Sequence, residues 1–242
     1  MTASDGPTDF IPLFDLDLGP GAQDAVARVL DSKWLTMGET TTRFEATLAA
    51  YLGVPTCLAV SNGTAALHLA LQALGIGPGD EVICPSLTFV ATANAVLYTG
   101  ARPVFADITG PDDLNIAPES IEANITARTR AVVVVHYAGF PCDMGAILKI
   151  ARAHGLKVVE DAAHAPGAAY LGPAGEGASE SKQMAGTIGD VGCFSFFSNK
   201  NLAVGEGGAV VARDPEVAER IRLMRSHGMT TLTPDRHQGH TY

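Results

Sequence analysis

Residues 131–135 read Ala-Val-Val-Val-Val, an unbroken apolar run. A strand covered on one face alternates apolar with polar residues. A β-branched run without alternation therefore belongs to a strand buried on both faces. Such strands lie inside parallel sheets, where each strand is followed by a helix that carries the chain back. The neighbouring sequence supplies that alternation. Cys57–Val60, Glu81–Cys84, Pro103–Ala106 and Lys157–Glu160 read as strands. Thr64–Leu74, Phe89–Tyr98, Pro118–Ile125 and Asp143–His154 read as helices, with Leu67, Leu71 and Leu74 on one stripe and Asp143 as an N-cap. Cys193–Phe196 and Gly208–Val211 resume as strands, and Pro215–Ser226 as a helix with Pro215 in its first turn. The pattern predicts an α/β fold, a mostly parallel sheet with helices on both faces.

The first 56 residues break this alternation: Ala22–Ser32 and Thr42–Leu52 read as two amphipathic helices joined by Trp34–Thr41. Gly172–Gly186, rich in Gly, Ser and Ala, reads as a flexible loop or loose hairpin, and periodicity ends after Gly228. A chain of 242 residues with 47% apolar and 17% charged content buries a substantial core, as one large domain or two small ones. The net charge of −10 argues against nucleic-acid binding, which needs a basic face. Cys57, Cys84, Cys142 and Cys193 form no C-x-x-C pair, so neither a disulfide framework nor a zinc site is expected. Met1–Phe10 is polar and acidic, unlike a secretory signal, and no uncharged apolar run approaches about 20 residues. The expectation is a soluble cytoplasmic protein without a membrane partner.

Ligands of open parallel sheets bind beyond the carboxyl ends of the strands. Three such ends carry chemistry. After Cys57–Val60 comes Ser61-Asn62-Gly63-Thr64. Here a glycine, a hydroxyl and a helix N-terminus would seat a phosphate, or Asn62 and Ser61 would simply cap the helix. After Lys157–Glu160 comes Asp161, an acid facing the crevice or else a capping or ion-paired aspartate; His164 lies three residues on. The Asp161/His164 spacing suits a metal, but further ligands are lacking, so no metal is expected. After Cys193–Phe196 come Phe197, Ser198, Asn199 and Lys200, with Gly205-Glu206-Gly207-Gly208 beyond. Lys200 is a desolvated amine nucleophile or a surface lysine. The glycines do not match the dinucleotide fingerprint. A phosphate seat, an acid and an amine at three strand ends together meet the needs of pyridoxal 5'-phosphate (PLP). Phe89, after the strand Glu81–Cys84, either stacks on the cofactor ring or packs in the core.

Several motifs in register resemble the DegT/DnrJ/EryC1/StrS aminotransferases, which act on keto sugars attached to nucleotides. They are Trp34-Leu35-Thr36-Met37-Gly38 with Phe44-Glu45, Ser61 to Leu67, Asp80-Glu81-Val82-Ile83 with Pro85 to Ala91, Glu160 to His164, and Gly192 to Gly208. The resemblance runs from about Ile11 to Thr230. It implies a fold type I PLP-dependent transferase large domain with a seven-stranded sheet. It implies that Gly63, Thr64 and Ser195 hold the phosphate, and that Phe89 stacks on the ring. Asp161 would pair with the pyridine nitrogen, and His164 would lie near the ring. Lys200 would form the Schiff base and shuttle protons. A neighbouring branch with histidine in place of the lysine performs dehydration, so Lys200 favours transamination. Glutamate or glutamine is the implied amino donor, a nucleotide-linked keto sugar the acceptor, and a homodimer the assembly.

Family members continue for more than a hundred residues beyond the length seen here. The resemblance therefore implies that residues 1–242 are a PLP-binding large domain, opened by a helical segment over about 1–56, with the small C-terminal domain absent. A truncated, non-catalytic or regulatory member that still binds PLP is the alternative. A cysteine desulfurase or threonine-aldolase-like lyase on the same fold is a third reading; a desulfurase needs a loop cysteine, and none of the four cysteines sits in an obvious one.

Overall fold

The valine run lies near the centre of the sheet. In the computed structural model, which describes residues 11–12, 14–172 and 181–229, two helices come first, α1 (Ala22–Ser32) and α2 (Glu39–Leu52). Strands and helices then alternate: β1 (Leu58–Val60), α3 (Gly63–Ala73), β2 (Glu81–Pro85), α4 (Val90–Tyr98), β3 (Arg102–Ala106), α5 (Pro118–Ala123), β4 (Thr129–Val135), α6 (Met144–His154) and β5 (Lys157–Asp161). The hairpin β6 (Ala169–Gly172) and β7 (Ser181–Met184) follows, then β8 (Val191–Ser195), β9 (Gly208–Ala212) and α7 (Pro215–Met224).

Seven strands form one sheet in the order β1-β9-β8-β5-β4-β2-β3. The pairs from β3 through β8 are parallel, whereas β9 runs antiparallel to both β8 and β1. The sheet is thus the mostly parallel, helix-covered one that the sequence predicts. Period-two alternation splits the valine run between two cores. Ala131 and Val133 pack with Leu71, Ala95 and Ile221 of α3, α4 and α7. Val132 and Val134 pack with Ile121, Ile147 and Leu148 of α5 and α6. Each fully buried valine contributes about 1.5–3 kcal/mol relative to exposure, as an upper bound. A third cluster seats α2, through Leu48 and Leu52, on Phe194, Ala209 and Val211 of β8 and β9.

Local signals set the element boundaries. Asp143 caps α6 by accepting from Ala146 N–H at 3.0 Å, and Pro215 opens α7. Helix α2 starts at Glu39 rather than Thr42, because Gly38 adopts the extended N-cap conformation and starts the turn three residues early. Helix α1 is amphipathic, yet it buries no side chain; Val26 and Leu30 on it are exposed. The region read as a loop or loose hairpin over Gly172–Gly186 contains an antiparallel hairpin, Gly172 pairing with Ser181 and Ala169 with Met184. Residues 173–180 lie outside the described residues, as does the segment after Met229. No described helix is long and apolar enough to cross a membrane.

At the amino end of the sheet, Glu81 opens β2 with a buried carboxylate. Arg102 Nη2 donates to it at 2.6 Å, Arg128 Nε at 2.7 Å and Thr126 Oγ1 at 2.7 Å. The Arg102 hydrogen bond is the main reason this carboxyl is held down to about 2.

Candidate active site

At the opposite end, the carboxyl termini of β1, β2, β4, β5 and β8 converge on a cavity of about 570 Å³. Gly63, Thr64, Phe89, Asp161, His164, Ser195 and Lys200 all line it. These residues come from widely separated segments, so the sheet topology alone brings them together.

Helix α3 starts on the cavity wall. Asn62 caps it from extended backbone, its side chain accepting from Ala65 N–H at 2.8 Å and its carbonyl from Ala66 N–H. Capping is therefore real, but it leaves the N–H groups of Gly63 and Thr64 without intrahelical acceptors. A Cβ on Gly63 would fall 2.9 Å from Ser195 Cβ, so only glycine lets α3 approach β8 this closely. That approach sets the Ser195 side chain, on the last residue of β8, beside the first turn of α3. The result is a cradle of backbone donors, a hydroxyl and a helix dipole, the chemistry that receives a phosphate.

Asp161 ends β5 on the face shared with α4. Thr92 Oγ1 donates to its Oδ2 at 3.0 Å, and Ala163 N–H to its Oδ1 at 3.2 Å. It joins no ion pair among the described residues, and burial pushes its carboxyl up from the ordinary carboxylate range. His164 stands in the following turn, edge-on to Tyr137 at a centroid distance of 6.4 Å. Its Nδ1 is buried with no hydrogen-bond partner among the described residues. Burial, then the charge of Lys200, pushes its imidazole down, and Asp161 opposes them. Lys200 closes a turn in which its N–H donates to Phe197 O at 2.9 Å. The side chain is half-buried, not a free surface lysine; burial lowers the proton affinity of its amine and Asp161 partly restores it. Phe89 is 74% exposed at the cavity mouth, so core packing is not its role.

The sequence reading missed a second polar group, one residue from Asp161. Glu160 is fully buried and accepts N–H bonds from Gly186 at 2.8 Å, Ile188 at 2.7 Å and Gly189 at 2.6 Å. His136 Nε2 is 2.8 Å from it, and Cys142 N–H donates to His136 Nδ1 at 3.1 Å. Since Nδ1 accepts, Nε2 carries the proton and donates to Glu160. A valine run ending in His136, opposite a strand ending in Glu160, was the available signal. Thr88, Tyr137 and Glu206 also line the cavity unforeseen. Among the described residues no group of three or more His, Cys, Asp or Glu side chains is set to hold a metal ion.

Residues 17–242 match the model of the DegT/DnrJ/EryC1/StrS aminotransferase family. The spore coat polysaccharide biosynthesis protein SpsC of Bacillus subtilis is 46% identical over 228 residues, covering 94% of this chain and 56% of that protein. GDP-perosamine synthase of Caulobacter vibrioides is 46% identical over 208 residues, covering 86% of this chain and 53% of that protein. The solved structure of Spr1654 from Streptococcus pneumoniae in its PLP form superposes with a TM-score of 0.81 at 29% identity, covering 91% of this chain and 59% of that one. The chain spans about half the length of the curated relatives it matches. Motifs in register, a shared sheet topology and identity over nearly the whole chain lead to one conclusion: this chain belongs to the DegT/DnrJ/EryC1/StrS aminotransferase family.

Proposed function

We propose that the chain is the PLP-binding part of an aminotransferase that moves an amino group from glutamate or glutamine onto a keto sugar carried by a nucleotide. The observation that carries this reading is the single cavity in which a helix N-terminus, a buried carboxylate and a half-buried lysine meet. PLP fits this donor set: the cradle of Gly63, Thr64 and Ser195 suits its phosphate, and the His164 nitrogen left without a partner is a polar group awaiting one. When bound, PLP supplies an electrophilic carbonyl carbon and a ring that draws off carbanion charge.

The chain's own residues divide the remaining work. Gly63 and Thr64 bind the phosphate through backbone N–H groups, with the Ser195 hydroxyl beside them. Phe89 covers one face of the ring and excludes water from it. Asp161 receives a protonated ring nitrogen, an opposite charge in direct contact with its desolvated carboxylate. His164 orients the ring from the side of Tyr137. Lys200, its proton affinity lowered by burial, is the amine nucleophile and takes and returns the proton at the reacting substrate carbon. The acceptor class is supported by the similarity to a GDP-perosamine synthase. A homodimer is part of the reading, supported by exposed Leu87, Phe89, Val90, Leu97 and Tyr98 around α4. Cytoplasmic action is in keeping with four unpaired cysteines.

The test is the visible spectrum of the protein mixed with PLP, beside Lys200→Ala. A band at roughly 410–430 nm that Lys200→Ala loses, and that glutamate bleaches in the wild type, is the expected result. A folded wild type with no band refutes the reading.

A further inference from the structure

Thr92 is fully buried in α4. A hydroxyl there must find a partner or pay its desolvation. Its Oγ1 donates to Asp161 Oδ2 at 3.0 Å across 69 residues of sequence, and it lies 2.8 Å from Thr88 Oγ1. Thr88 lines the cavity. The three groups form a hydrogen-bonded chain from the cavity wall to the carboxylate.

The charge at the inner end fixes the direction of that chain. An ionised carboxylate only accepts, so the single hydroxyl proton of Thr92 points at Asp161 and that of Thr88 points at Thr92. Thr88 then shows the cavity lone pairs alone. With a proton on Asp161 Oδ2 the order reverses, and Thr88 turns its proton toward the cavity. We propose that Thr92 is the positioning residue of Asp161, fixing its rotamer and its charge, and that Thr88 and Thr92 relay that charge to the cavity wall as hydrogen-bond polarity. This deepens the function proposed above and rests on Asp161 being the group that meets the cofactor ring.

Other titratable groups surround Asp161: His136 after β4, His164 in its own turn, Lys200 beyond β8, and Cys193 within β8, with Glu160 next along the strand. Thr92 differs from these in supplying a side-chain hydrogen bond to Oδ2. Charge-assisted hydrogen bonds of this kind are the strong ones.

The relay is tested by ¹³C NMR titration of the Asp161 carboxyl in the full chain without cofactor, together with the Kd for PLP by absorption. Thr92→Val keeps a similar shape and removes the proton. It should move the Asp161 midpoint upward and weaken PLP binding roughly tenfold. Thr92→Ser, which keeps the hydroxyl, should restore both, and Thr88→Val should shift both in the same direction by less. An unmoved midpoint in Thr92→Val, or a Thr92→Ser that behaves like Thr92→Val, overturns the proposal. If Thr92→Val does not fold, Thr88→Val decides: a wild-type midpoint there overturns the relay. Asp161→Asn separates this idea from the one beneath it. Intact PLP affinity in Asp161→Asn, with a moved midpoint in Thr92→Val, sinks the cofactor role and leaves the relay. Lost PLP affinity with an unmoved midpoint sinks the relay alone.

Discussion

Glu160 and Asp161 are consecutive carboxylates on β5, both buried, and the pleat sends them to opposite faces of the sheet. Glu160 enters the face of α5 and α6, where three backbone N–H groups and an imidazole N–H meet it. Asp161 enters the face of α3 and α4, where it receives two hydrogen bonds beside an open cavity. The first carboxylate is saturated and ties the loop ahead of β8 to the sheet. The second receives fewer donors and joins no ion pair among the described residues. Burial is common to both, so burial does not distinguish structure from function here; the balance of donors does.

The largest effect that would break this comparison is on stability. We predict that Glu160→Ala lowers unfolding free energy by about 3–5 kcal/mol, because it strands several buried donors at once. Urea unfolding checks this, and an unchanged midpoint would abolish the distinction. Asp161→Asn should move stability by no more than about 1 kcal/mol in either direction while costing PLP affinity. A loss as large as that of Glu160→Ala would make Asp161 a structural residue too. The smallest effect concerns the far end of the sheet, where Glu81 is also saturated. Its carboxyl falls from an ordinary 4.5 to about 2 in the folded protein. A depressed folded value stabilises fully above 4.5, and that contribution drains away as pH drops toward 2. Glu81→Gln should therefore flatten the acid limb of the stability profile in that window and leave PLP binding untouched.

Much of this molecule is legible in its sequence because strands and their ends announce themselves. The valine run gives the buried centre, and the carboxyl-end rule picks out Gly63, Asp161 and Lys200 before any coordinates. Pairings that depend on topology are not legible. Thr92 looks like an ordinary helical threonine until α4 is laid against β5, and His136 meets Glu160 only because β4 and β5 are in register at Val134 and Glu160. The exposure of Phe89 is hidden for the same reason: an aromatic residue at a strand end fits a core or a cavity mouth equally well. Helix α1 shows the reverse case, an amphipathic pattern that fully buries none of its side chains.

The antiparallel β9 has a consequence for the newly made chain. It is the strand that joins β1 to β8, so Gly63 and Ser195 meet in a sheet that residues near 210 complete. At about 5–20 residues per second, a ribosome needs roughly 8–30 s to travel from β1 to the end of β9. Until β9 is made, no strand pairs the two walls of the candidate cradle into one sheet. The candidate seat is closed by the last of the described strands to be made, so a nascent chain interrupted before β9 lacks the strand that ties its two walls together.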